Sequence, residues 1–125
     1  KAEKSLLESA DFLEKNAHTG TQEYVLTMSA LGELYGKMEK SEQSLRYSTR
    51  ARDMLDSNGL GRTDTAGSCL VWIALAHERM KHPCLAVSVL REASGRGVWT
   101  IPEQADFAGR YLMHNEKACS GKEAR

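Results

Sequence analysis

The chain has 125 residues, of which 41% are hydrophobic and 27% charged, the make-up of one soluble folded domain able to bury a core of its own. Seventeen Lys and Arg balance seventeen Asp and Glu with no long basic run, so nucleic-acid binding driven by counterion release is poorly supported. No apolar stretch approaches the roughly 18 residues that a membrane-spanning helix needs.

The residues before Asn16 carry Leu6, Leu7, Ala10 and Leu13 at helical spacing. Asn16-Ala17-His18-Thr19-Gly20 breaks this pattern. Thr19, followed three residues on by Gln22, has the form of a capping box, in which two side chains satisfy free backbone N–H groups. A second helix is expected over residues 21–37, with Tyr24, Met28, Leu31 and Tyr35 at steps of three and four. A short turn at 38–40 leads to a third helix over 41–57, striped by Leu45, Ser48, Ala51, Arg52 and Leu55. Asn58-Gly59-Leu60-Gly61 stops it, because glycine accepts the left-handed conformation that helix ends use.

The pattern then recurs. Residues 64–80 read as a helix with Leu70, Ile73, Ala74 and His77 on one side. Pro83 opens the next helix, where its missing N–H costs nothing. That helix carries Ala86, Val89, Leu90 and Ala93 and ends near Gly95-Arg96-Gly97. Thr100-Ile101-Pro102-Glu103 is a further helix start. The last helix, through Phe107, Tyr111 and Leu112, is expected to fray after Lys117, leaving 119–125 as a flexible tail. Both prolines fall at helix starts and no segment alternates as a strand would, so the chain reads as all-α, with about six antiparallel helices.

Laid over itself at an offset of 42 residues (Leu31 to Ile73), the chain falls into register. Leu31-Gly32-x-x-Tyr35 meets Ile73-Ala74-x-x-His77, Ser44 meets Ala86, and Ala51 meets Ala93. Extended backwards, the same step puts Ala2 and Ser9 under Ser44 and Ala51. A fixed period of about 20–50 residues is the mark of stacked repeats. Small residues at these places let two helices approach closely, while Leu31, Tyr35, Ile73, His77 and Leu90 fill the space around the contact.

These residues resemble the tetratricopeptide repeat over about 25–58 and 67–95. Residues 1–17 look like the second helix of a preceding repeat and 100–118 like the first helix of a following one. The usual repeat has about 34 residues. The longer period here, with its extra residues in 58–65 and 95–101, is similar to repeats of kinesin light chains and of bacterial signalling proteins. Met28 and Leu70 stand where the family has a packing tryptophan, Ser48 stands where a large residue is usual, and no proline ends either copy.

The resemblance implies a right-handed solenoid, residues 1–118 forming one domain, whose first helices line a concave groove. Ser29, Glu33 and Lys37 in one copy and Val71, Leu75 and Arg79 in the next would face it, with Trp72 beside them. Such a surface suits an extended or helical peptide, with Trp and Arg as anchors. The alternative for Trp72 is packing against a neighbouring helix. Glu33 would repel a carboxylate, which argues against the clamp that grips chaperone C-termini. Arg46, Arg50, Arg52 and Arg62 read as a solvated outer face, with Glu42 and Asp53 as counter-charge, rather than a site for an acidic partner.

No nucleophile elbow, P-loop or HExxH motif occurs, and Gly59-x-Gly61 follows a helix rather than a strand. His77, His82 and Cys84 lack metal-ligand spacing, so no metal or cofactor is expected. Cys69 reads as a core residue. Cys69, Cys84 and Cys119 form an odd set without a CxxC pair, which argues against a disulfide framework and for a reducing, cytoplasmic setting. Trp99, in the loop 97–101, would fold over the end of the stack or meet a partner. The chain starts at Lys1 and reads as a piece of a longer protein. The function expected is non-catalytic protein or peptide binding, with no nucleic acid and no membrane. The alternatives are a regulatory or sensor domain acting on an attached enzyme or DNA-binding domain, and self-association through the end helices.

Overall fold

The computed structural model describes residues 2–16, 22–97 and 102–123. They form six helices: α1 (Ala2–Lys15), α2 (Gln22–Lys37), α3 (Ser41–Ser57), α4 (Asp64–Arg79), α5 (Pro83–Arg96) and α6 (Pro102–Glu123). No strand occurs among the described residues. Each helix packs on the next in sequence, and α2 also meets α4. The capping box expected at Thr19 and the apolar loop around Trp99 lie outside the described residues, as do Thr100 and Ile101 of the last helix start.

The 42-residue step is visible in the backbone itself. α2 ends with Met38 N–H donating to the Leu34 carbonyl (3.0 Å), Glu39 N–H to Gly36 (3.1 Å) and Lys40 N–H to Tyr35 (2.9 Å). α4 ends with Met80 N–H donating to Ala76 (3.0 Å), Lys81 N–H to Glu78 (2.9 Å) and His82 N–H to His77 (2.8 Å). Glu39 and Lys81, at φ 60 and 67, hold the left-handed conformation that closes each turn. The reversal after α3 uses glycine instead. Gly59 sits at φ 73, and Leu60 N–H reaches back to the Leu55 carbonyl at 2.8 Å. Thr63 caps α4 by accepting from Ala66 N–H. Arg96 of α5 ties the α3–α4 loop down, donating to Asp56 Oδ1 (2.6 Å) and to the Gly61 carbonyl (3.0 Å).

α2 and α3 approach closely at Gly32. Ser44 Oγ donates to the buried Gly32 carbonyl at 2.8 Å, and a methyl group on Gly32 would lie 2.1 Å from Ser48 Oγ. Leu31, Gly32, Tyr35, Ser44, Ala51, Ile73, Ala74, Ala86, Leu90 and Ala93 are all buried, while His77 is half-buried. One core cluster joins Ala10 and Leu13 of α1 to Tyr24, Met28, Leu31, Ala51, Leu55 and Cys69. A second gathers Leu70, Ile73, Ala74, Ala86 and Leu90, with Tyr111 and Leu112 of α6 against it. Burying each of the larger aliphatic side chains among these contributes about 1.5–3 kcal/mol before the entropy of ordering it is counted.

The spacing between alternate helix starts is not constant. α2 and α4 start 42 residues apart, whereas α6 starts only 38 after α4 (Asp64 to Pro102). At that step Ala108, Tyr111, Leu112 and Asn115 fall on Leu70, Ile73, Ala74 and His77. Ala108 and Asn115 are buried there, and Tyr111 and Leu112 pack against the second core cluster.

Two expectations are corrected here. Cys84, in the first turn of α5, and Cys119, near the end of α6, form a disulfide with Cα atoms 4.8 Å apart. The argument for a reducing compartment from unpaired cysteines therefore fails. Sequence separation alone could not reveal a pairing made by two helices folding alongside each other. Second, α6 does not fray at Lys117 but continues to Glu123, with Cys119 fastened to α5.

Candidate functional site

The seven residues expected to line a groove divide into two groups. One group stitches α2 to α4. The Cys69 thiol donates to Ser29 Oγ at 3.7 Å, and burial pushes this thiol's pKa up, which leaves it an inert core group. The Trp72 ring lies against Gly36: a Cβ built there would meet the ring at 2.4 Å. Arg79 donates to the Gly36 carbonyl, which also accepts from Glu39 N–H in the last turn of α2. Trp72 is therefore half-buried against a neighbouring helix, the alternative weighed for it, and Gly36 is the residue that admits it.

The other group stays open. Glu33 and Lys37 are exposed and form an i,i+4 pair at 3.8 Å, while Val71 and Leu75 are half-exposed. Leu26, 49% exposed and three residues before Ser29, lies on the same face of α2 as Glu33 and Lys37. It was legible as part of that stripe, and the sequence reading passed over it. These open residues of α2 and α4 mix charge of both signs with apolar surface. A cleft of about 470 Å³ opens beside it, lined by Val25, Leu26, Leu55, Leu60 and Thr63 among others, and none of the seven residues lines this cleft.

The arginines of α3 are largely occupied. Arg46 lies over the Tyr47 ring (5.6 Å) and Arg50 over the Tyr24 ring (5.4 Å), and Arg52 pairs with Asp53. Burial lowers the pKa of His77, with His82 and Arg52 adding repulsion, and its buried Nδ1 has no hydrogen-bond partner. Cys84 is held in the disulfide. Among the described residues no three His, Cys, Asp or Glu side chains gather as a metal site would require, and no helix is long and apolar enough to cross a membrane. No known protein family, characterised protein or solved structure matches this chain.

Proposed function

We propose that the chain is a tetratricopeptide-like repeat unit, stacked as a right-handed solenoid, that binds a peptide or protein partner along α2 and α4 without chemistry of its own. The observation that carries this reading is the recurrence of one helical turn, bond for bond, at a step of 42 residues. Repeated helix pairs stack because each leaves an apolar face that the next one covers. The contact between α2 and α4 supports the reading, since stacking sets the first helices of successive pairs side by side. Leu26, Glu33, Lys37, Val71 and Leu75 then offer a partner both apolar area and charge of either sign. No compartment is proposed, because the cysteine argument for the cytoplasm is gone.

The test is a synthetic peptide array probed with the folded chain and with a Leu75→Asp, Glu33→Lys variant. Trp72→Ala is unsuitable, because Trp72 supports the α2–α4 contact. A peptide whose affinity drops about tenfold or more in the variant, with an unchanged melting temperature, agrees with the groove. Equal binding by both forms refutes it. The open apolar side chains of the terminal helices, Phe12 at 63% and Phe107 at 56% exposed, favour a second reading, association end to end.

A further inference from the structure

The Cys84–Cys119 disulfide joins the first turn of α5 to the last turns of α6, outside both core clusters. The first part of α6 is anchored by Ala108, Tyr111 and Leu112, and by Asn115, which is fully buried and donates to Glu78 Oε2 at 2.8 Å. Among the described residues beyond Asn115, none belongs to a core cluster. Lys117, Ala118, Ser120 and Gly121 are exposed. Glu116 pairs with Arg91 at 2.7 Å, but both side chains are well exposed, so the pair holds little. Ser120 and Gly121 are poor helix formers. By local sequence the helix should fray after Lys117, yet it runs to Glu123 with Cys119 bonded to α5.

We propose that this disulfide is a reversible redox latch that docks the end of α6 against the start of α5. Cys84 and Cys119 are both half-exposed, so a small thiol or disulfide can reach them. Cys69 is buried and distant in role, which leaves no third thiol to scramble the pair. Closing the latch removes two electrons and two protons from the thiols of Cys84 and Cys119. A small-molecule disulfide such as oxidised glutathione accepts them and leaves as two thiols. One Cys thiolate attacks that disulfide, and the second cysteine then displaces the mixed-disulfide thiol. Reduction by excess thiol reverses both exchanges. Opening releases one wall of a cleft of about 550 Å³ between the α4–α5 turn and α6, lined by Glu78, Lys81, Pro83, His114, Asn115, Ala118 and Gly121. The core clusters contain neither Cys84 nor Cys119, so the rest of the fold survives opening. This inference does not depend on the groove reading.

The experiment poises the intact chain in glutathione buffers from reducing to oxidising, traps free thiols with an alkylating reagent, and reads each cysteine by mass. Hydrogen exchange is measured in the same buffers. Cys84 and Cys119 are expected to lose reactivity together within the glutathione range, with Cys69 unchanged. Exchange across 117–123 should quicken by about tenfold or more on reduction while α2 to α5 keep their protection. Cys119→Ser should reproduce the reduced pattern under oxidising conditions. A pair that stays reduced in the most oxidising buffer overturns the latch, as does one that stays oxidised in the most reducing. Unchanged exchange at 117–123 overturns it too. Unfolding of the whole chain on reduction, or a Cys119→Ser chain that does not fold, makes the bond a structural staple and likewise overturns it.

Discussion

Gly32 faces Ser48 so closely that the two helices have no room for a methyl group. A Cβ there would sit 2.1 Å from Ser48 Oγ and 3.0 Å from the Ser48 backbone nitrogen. The hydroxyl can rotate away but the backbone cannot. Gly32→Ala is therefore expected to destabilise the fold by about 1–3 kcal/mol in urea denaturation, as overpacking does. Gly109 of α6 is the opposite case, since a Cβ there meets nothing within 4 Å. Gly109→Ala should stabilise by about 0.5–1 kcal/mol, because alanine loses less backbone freedom in a helix. Equal effects at the two positions would refute the packing account. Gly32 could be found in the sequence because its partner position, Ala74, is also small at the repeat step. Gly36 could not, since its need for space comes from Trp72, far away in the chain.

At the scale of elements, α1 shows how a helix is docked by few groups. Ala10 and Leu13 bury in the first core cluster, where α1 packs on α2. Two tyrosines of α2 reach back to it: Tyr24 donates to Glu14 Oε2 and Tyr35 to Glu3 Oε2, both at 2.7 Å. Burial, with the Glu14 bond next, pushes the Tyr24 pKa up to about 12. For Tyr35 the Glu3 bond leads and burial follows, again to about 12. A phenol raised in the folded state keeps its proton there while the unfolded chain, titrating near 10, has lost it. The stability these tyrosines contribute is therefore complete below about pH 10 and is lost as the pH climbs towards 12. Tyrosinate absorbance followed against pH should show three tyrosines ionising late, because burial and then Glu78 raise Tyr111 of α6 as well, and release of α1 should accompany the ionisation of Tyr24 and Tyr35. All four tyrosines titrating near 10 would contradict the docking. The helix boundaries themselves were legible: glycine stops, proline starts and apolar periods act within a turn or two. The docking bonds were not, because Glu3 and Tyr35 lie 32 residues apart.

At the scale of the whole molecule, the first and the last of the described helices leave large apolar side chains open. Phe12 on α1 and Phe107 and Met113 on α6 are 63%, 56% and 68% exposed. In a stacked array terminal faces need a neighbour or a polar cap. If these faces meet in solution, sedimentation should show mass rising with concentration, and Phe12→Ser with Phe107→Ser should restore the monomer. A parent chain monomeric throughout a wide concentration range would dispose of end-to-end assembly.

The sequence by itself determined the all-helical class, the six helices and the 42-residue step, because these rest on local spacing, caps and turns that each segment carries within itself. It also marked the small residues of the helix crossings, since the repeat displays them twice. The tertiary structure alone decided the rest. It set Trp72 on Gly36 rather than in open solvent, buried Asn115 against Glu78, started α6 only 38 residues after α4, and paired Cys84 with Cys119. Each of these depends on which helices lie side by side and at what register, and residues 35 or more positions apart carry no local signal of meeting.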